Sequence, residues 1–264
     1  MLQSSKKQEQ SEDFRGGSED NEEPFPLRKL IIHKPLVISI SNYILLAFLS
    51  IAVFALLPLF CAMPLEIGGL DLDPPKIGYI IGSYGAASAI FQLMFFSRIV
   101  HYLGAGKSFV MSMSTLIPIF LLFPVINTAA VAFGMQSPLV WALIAILISC
   151  AIVSDMSYGV FWARSIIFPF TDFVLLGLIF MFVTASAPNK GSLGATNGLA
   201  QSVVSIARAI GPAFSTSLFS FSVQHKILRG FGVYAFLLVL SIGAVFLATR
   251  LPSKLWDEED EASR

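Results

Sequence analysis

Asp155 and Arg208 are the residues of this chain whose chemistry fits their surroundings least. Arg208 lies about 14 residues, or roughly 21 Å of helix rise, beyond Gly194, and Asp155 about 17 residues beyond Pro138, both within apolar stretches. A charge near the middle of a membrane helix costs about 2.5 to 3.5 kcal/mol on insertion scales, so it usually faces a cavity or a partner. One reading has Arg208 lining a pathway and Asp155 carrying or modulating a coupling proton. The structural alternatives are that Arg208 snorkels to an interface and that Asp155 hydrogen-bonds a neighbouring helix. Asn42, Gln92 and Gln201 are further polar groups in apolar runs and candidates for the same pathway. Gly211-Pro212 follows Arg208, and proline removes a helix hydrogen bond, so these two residues are expected to form a bend or gating point.

Other chemistries fail on spacing. Gly104-Ala105-Gly106-Lys107-Ser108 resembles the end of a phosphate-binding loop, but the glycine required five residues before Gly106 is replaced by His101. No HExxH, GxSxG or metal-spaced histidine cluster occurs. Cys61 and Cys150 are far apart in apolar runs and read as packing residues. His33, His101 and His225 fall at span ends or in loops, and Trp141, Tyr84 and the many phenylalanines read as lipid-facing or interfacial fillers. The expectation is therefore no enzyme, no cofactor and no metal. A net charge of zero averages unlike regions and gives no sign of a nucleic-acid partner.

The elements that hold these residues are set by apolar length. Of 264 residues, 55% are hydrophobic and 13% charged, about half the roughly 25% charge of a soluble domain. Mean hydropathy is +0.76. A spanning helix needs about 20 mostly apolar residues. Such runs are Pro35 to Leu65, Gly78 to Phe96, Phe109 to Phe133, one starting at Pro138 with an ambiguous end, Gly194 to Val223 and Gly232 to Thr249. Backbone groups have no water partner in lipid, and runs this long exclude strands. The expected fold is an all-α integral membrane domain of six transmembrane helices over 35–251. A polar tail or linker precedes it at 1–34, and an acidic tail follows at 252–264.

Lys and Arg in short loops orient the spans. Arg28, Lys29, Lys34, Arg98, Lys107, Lys190, Arg250 and Lys254 share one side if there are six spans, which puts both termini in the cytoplasm. Small residues mark faces where helices approach closely. Gly78, Gly82, Gly85 and Ala89 form one such stripe, and Gly194 and Gly198 another, so both are expected at helix–helix contacts.

The loop from Ser97 through Arg98, Gly104 and Lys107 resembles the basic loop between the second and third helices of each half of a major facilitator transporter. His101 and Ala105 make it degenerate. Three further stretches are similar to the seventh to eleventh helices of fungal drug:proton antiporter-like and zinc-induced-facilitator-like transporters. They are Pro64-Leu65-Glu66-Ile67-Gly68-Gly69-Leu70, Ala187 to Gly198, and Ala207-Arg208-Ala209-Ile210-Gly211-Pro212. The resemblance implies a C-terminal major facilitator half, with a small-molecule substrate, protons and the lipid bilayer as partners. In such transporters the substrate site lies at the bilayer midplane between two halves. It follows that this chain is expected to be a fragment or truncated gene product, completed by an N-terminal six-helix half or by a homodimer partner. A non-transporting membrane scaffold or subunit is the competing expectation. Plasma and vacuolar membranes are equally compatible with the sequence, as are many substrates and either direction.

One departure from the family pattern stands out. Ser157-Tyr158-Gly159 is normally followed almost at once by an apolar run like Ile179-Phe180-Met181-Phe182, whereas here 160–178 intervenes with Arg164, Pro169 and Asp172. Either the segment is a retained in-frame intron, or Ile166 to Ala187 is an extra, seventh span that inverts everything after it. Sequencing of reverse-transcribed messages separates the two.

Overall fold

The computed structural model describes residues 30, 32–158 and 177–251. Among them every regular element is helical. Helix α1 is Lys34–Ala62 and α2 is Pro74–Phe91, which continues through a π-helical turn, Gln92–Phe96, into α3, Ser97–Leu103. Then come α4 (Ala105–Ser114), α5 (Leu116–Phe133), α6 (Pro138–Ser154) and a 3₁₀ turn, Asp155–Tyr158. The last three helices are α7 (Leu178–Ala185), α8 (Leu193–Gln224) and α9 (Gly232–Ala248). Five stretches are long and apolar enough to cross a membrane: Lys34–Ala62, Pro74–Leu103, Ala105–Phe133, Pro138–Tyr158 and Leu193–Gln224. Gly232–Ala248 is a shorter apolar helix of 17 residues. The fold is an all-α integral membrane bundle.

Helix α1 is the hub, packing on α2, α7, α8 and α9, with its most extensive contact against α8. Half of its most apolar window is buried, against 22% for the spans containing α2 and α8. Those two therefore turn most of their surface away from the bundle. The Gly69 end of α1 is closed by its own chain. Pro64 stops the helix, and the segment folds back so that Leu70 N–H donates to the Phe60 carbonyl at 3.0 Å and Leu72 N–H to the Cys61 carbonyl at 2.9 Å. Gly68 sits at φ +98°, and a Cβ on Gly69 would lie 2.0 Å from the Met63 carbonyl oxygen, so both positions require glycine. Asn127 on α5 then donates its amide to the Gly69 carbonyl at 2.7 Å and the Leu65 carbonyl at 3.2 Å. The Pro64-to-Leu70 motif is thus a backbone lock between α1 and α5.

The expected helix contacts through small residues are not made within the described chain. Cβ atoms added to Gly78, Gly82, Gly85, Gly194 or Gly198 would meet nothing within 4 Å. The cause is the opposite face of α2, where Ile80, Tyr84 and Ser88 recur at intervals of four and are the residues it buries. Gly211 does mark a close approach, since its added Cβ would be 3.0 Å from Ile51 on α1.

Helix α6 with the 3₁₀ turn, Pro138–Tyr158, is by itself long and apolar enough to cross a membrane, and the turn packs directly against α7. The expectations for 160–178, intron or seventh span, fall on residues outside the described ones except for Gly177 and Leu178, as do 1–29 and 252–264 of the two tails.

Candidate functional site

Helix α2 carries Tyr84 and Ser88, and the π-helical turn that continues it starts at Gln92; at intervals of four, all three project along one face. That face meets the end of α6. The Tyr84 hydroxyl donates to Asp155 Oδ2 at 2.6 Å, and the Ser88 hydroxyl donates to the same oxygen at 2.7 Å. Gln92 Nε2 in turn donates to Ser88 Oγ at 3.3 Å. The turn that presents Asp155 is fixed from behind by a buried hydroxyl pair, Ser112 on α4 and Ser157, at 2.5 Å. Asp155 borders a small niche of about 10 Å³ between α1, α2, α5 and α6, whose other walls include Ser50, Phe54, Leu116 and Ile119. Both hydroxyl bonds fall on Oδ2, leaving Oδ1 without a protein donor among the described residues.

Arg208 belongs to a second cluster, on the α1–α8 contact. Its Nη2 donates to the Tyr43 hydroxyl at 3.2 Å, and that hydroxyl donates to Gln201 Oε1 at 3.5 Å. The guanidinium carbon lies 5.6 Å from the Tyr43 ring centroid and 5.7 Å from that of Tyr158, within cation–π range of both. Tyr158 ends the 3₁₀ turn that Asp155 begins, so the two clusters are joined through that turn. No ion pair joins Asp155 to Arg208; Lys76–Asp73, at 3.0 Å, is the salt bridge found among the described residues.

Four of the five pathway candidates therefore fall into two groups, Asp155 with Gln92 and Arg208 with Gln201. Asn42 goes elsewhere: fully buried, it donates to the Ile38 carbonyl at 2.9 Å and the Leu247 carbonyl at 3.3 Å, tying α1 to α9. Pro212 sits inside α8, which remains helical from Leu193 to Gln224. Its missing N–H would have bonded the carbonyl of Arg208, four residues earlier, so the helix is weakened at the charged residue. Gly104 joins α3 to α4 at φ +81°, with Arg98 and Lys107 exposed on either side of it.

Tyr84 corrects the sequence reading. It is not a lipid-facing filler; it is 7% exposed and bonded to the half-buried Asp155 carboxylate. Tyr43, Ser50, Ser88 and Tyr158 were not singled out from sequence either. The usable signal was the four-residue spacing of Tyr84, Ser88 and Gln92, a polar line on an otherwise apolar helix.

The chain is similar to several named transporters. It is 25% identical over 250 residues to the major facilitator-type transporter psiT2 of Psilocybe cubensis, covering 91% of this chain and 44% of that protein. It is 26% identical over 248 residues to the major facilitator superfamily multidrug transporter mfsB of Aspergillus fumigatus, covering 88% and 35%. A probable peptide/nitrate transporter of Arabidopsis thaliana is 24% identical over 215 residues, covering 81% and 40%. The chain spans less than half the length of these relatives. No family model matches it, and no solved structure matches it significantly. All three of these relatives are named as transporters.

Proposed function

We propose that this bundle forms the C-terminal half of a proton-coupled transport pathway for a small organic molecule, with Asp155 as the group that exchanges the proton. The observation that carries the reading is the setting of Asp155, a carboxylate at a small niche between four helices, held on one oxygen by two hydroxyls and by no cation among the described residues. Hydroxyl groups can donate to a carboxylate or rearrange around a carboxylic acid, so the acid can change charge without breaking an ion pair. Arg208 lines the same pathway, and Gly211 with Pro212 lets α8 flex beside it. The loop carrying Arg98, Gly104 and Lys107 lies on the cytoplasmic side in this reading, as do both termini.

The relatives are more than twice as long as the matched region, which supports a pathway completed by a second six-helix unit, an N-terminal half or another copy of this chain. The exposed small-residue faces of α2 and α8 are the surfaces such a unit would meet, because small residues allow close backbone approach in lipid. The test is flux in proteoliposomes under an imposed pH gradient, with the chain alone and with an N-terminal half co-expressed. Asp155→Asn is expected to abolish pH-driven uptake while leaving substrate binding largely intact. An unchanged pH dependence in a folded Asp155→Asn protein removes Asp155 from the mechanism. Absence of flux in every combination returns the chain to a non-transporting subunit.

A further inference from the structure

Arg208 carries a charge that its surroundings hold in place but do not neutralise. Among the described residues no carboxylate lies within ion-pair distance of it. Its one hydrogen bond among the described residues goes to a phenol oxygen, and the Tyr43 hydroxyl already spends its proton on Gln201, so it faces Arg208 as an acceptor. A guanidinium has five N–H donors in a planar fork. Tyr43 occupies one of them, and the side chain is exposed on α8, leaving the rest of the fork open. The two flanking rings restrict how that fork can turn.

We infer that Arg208, caged by Tyr43 and Tyr158, binds an anionic group, a carboxylate or phosphate monoester, on the transported molecule. This rests on the reading of the bundle as half of a transport pathway and names the substrate class of that site. Planar, bidentate recognition of such oxyanions is what an arginine fork does better than a lysine. The walls favour an anion carried on an aromatic body, since the Phe180 ring packs 5.5 Å from Tyr43 and the Tyr158 ring lies on the other side. Depth selects a solute over a lipid headgroup. Arg208 is near the middle of a 32-residue helix about 48 Å long, whereas phosphate headgroups sit outside a hydrocarbon core about 30 Å thick. Asp155 stands one 3₁₀ turn from Tyr158, roughly 6 Å of rise, so the anion and the proton occupy neighbouring but separate places.

Phenylglyoxal modification of arginine reads this out. The whole chain is reconstituted in phosphatidylcholine vesicles, and modification of the peptide containing Arg208 is followed by mass spectrometry with phenyl phosphate, benzoate, phenol or benzylammonium present. The anions are expected to slow modification of Arg208 several-fold and to leave Arg98 unaffected, while phenol and benzylammonium do nothing. Tyr43→Phe, which keeps the ring and removes the hydroxyl, is expected to weaken the protection. Equal rates with and without both anions would overturn the inference, and so would protection by benzylammonium. Protection that appears only when phosphatidylglycerol is added to the vesicles would assign Arg208 to lipid and equally sink it. Flux measurements on the same preparation keep the two readings apart. Proton-driven flux without anion protection removes the anion subsite alone; anion protection without flux under any pairing removes the transport reading.

Discussion

The Asp155 and Arg208 clusters solve the same problem, a charge inside a membrane bundle, in opposite ways. Asp155 is backed by hydroxyl donors from Tyr84 and Ser88 on a helix face that packs inward. Arg208 is braced by aromatic rings on a helix that turns most of its surface outward. The first arrangement suits a group that changes protonation, because hydroxyls tolerate both states. The second suits a group whose orientation matters, since a guanidinium presents its donors in a fixed planar fork. Neither charge is matched by the other. The 3₁₀ turn from Asp155 to Tyr158 joins the two clusters along the chain.

Exchanging these chemistries gives the largest expected effect. Asp155→Asn should flatten the pH profile of uptake, and Arg208→Gln should keep that profile while raising the KM for substrate. The contrast fails if Arg208→Gln also flattens the profile, measured as initial uptake rate against external pH. Gly69→Ala comes next, because its new Cβ overlaps the Met63 carbonyl and must move backbone, at a cost of about 3 kcal/mol or more, the upper end for overpacking. It should damage both clusters together by loosening the α1–α5 lock, seen as a lower midpoint of thermal unfolding in detergent. An unchanged midpoint would mean that the lock does not position α1. Tyr84→Phe is gentler, deleting one of two donors to Asp155 at about 1.5 to 3 kcal/mol for a bond to a charged group. It should displace the pH midpoint of uptake and spare the maximal rate; loss of the rate itself would make Tyr84 more than a support. Smallest of all is Gly78→Ala in the isolated chain, where the added methyl meets open space and stability should stay within about 0.5 kcal/mol.

The all-helical membrane fold was legible because uncharged runs of this length leave the backbone no other way to satisfy itself. Asp155 and Arg208 were legible for the complementary reason, as charges where charge is expensive. Tyr84 was not, since a phenol counts as apolar in a hydropathy pattern and shows its polarity only when a partner faces it. The small-residue stripes were read as helix–helix contact faces, and the described residues make no contact at them. Glycine spacing states that something can come near without saying what, and α2 buries its Ile80, Tyr84 and Ser88 side instead.

The π-helical turn at Gln92–Phe96 has a consequence for phase. The buried positions of the second span, Ile80, Tyr84, Ser88, Phe96 and Val100, keep to multiples of four residues. In an unbroken α-helix a four-residue interval slips the stripe by about 40° each time, so twenty residues would carry it about halfway round the axis. One wide turn accommodates about one extra residue and so takes up about half of that slip, and buried positions recur on both sides of it. The turn works as a vernier: above it the helix is set to meet Asp155, below it to hold Arg98 on the surface. Removing a single residue there would rotate the lower piece by about 100° and leave the upper one where it is.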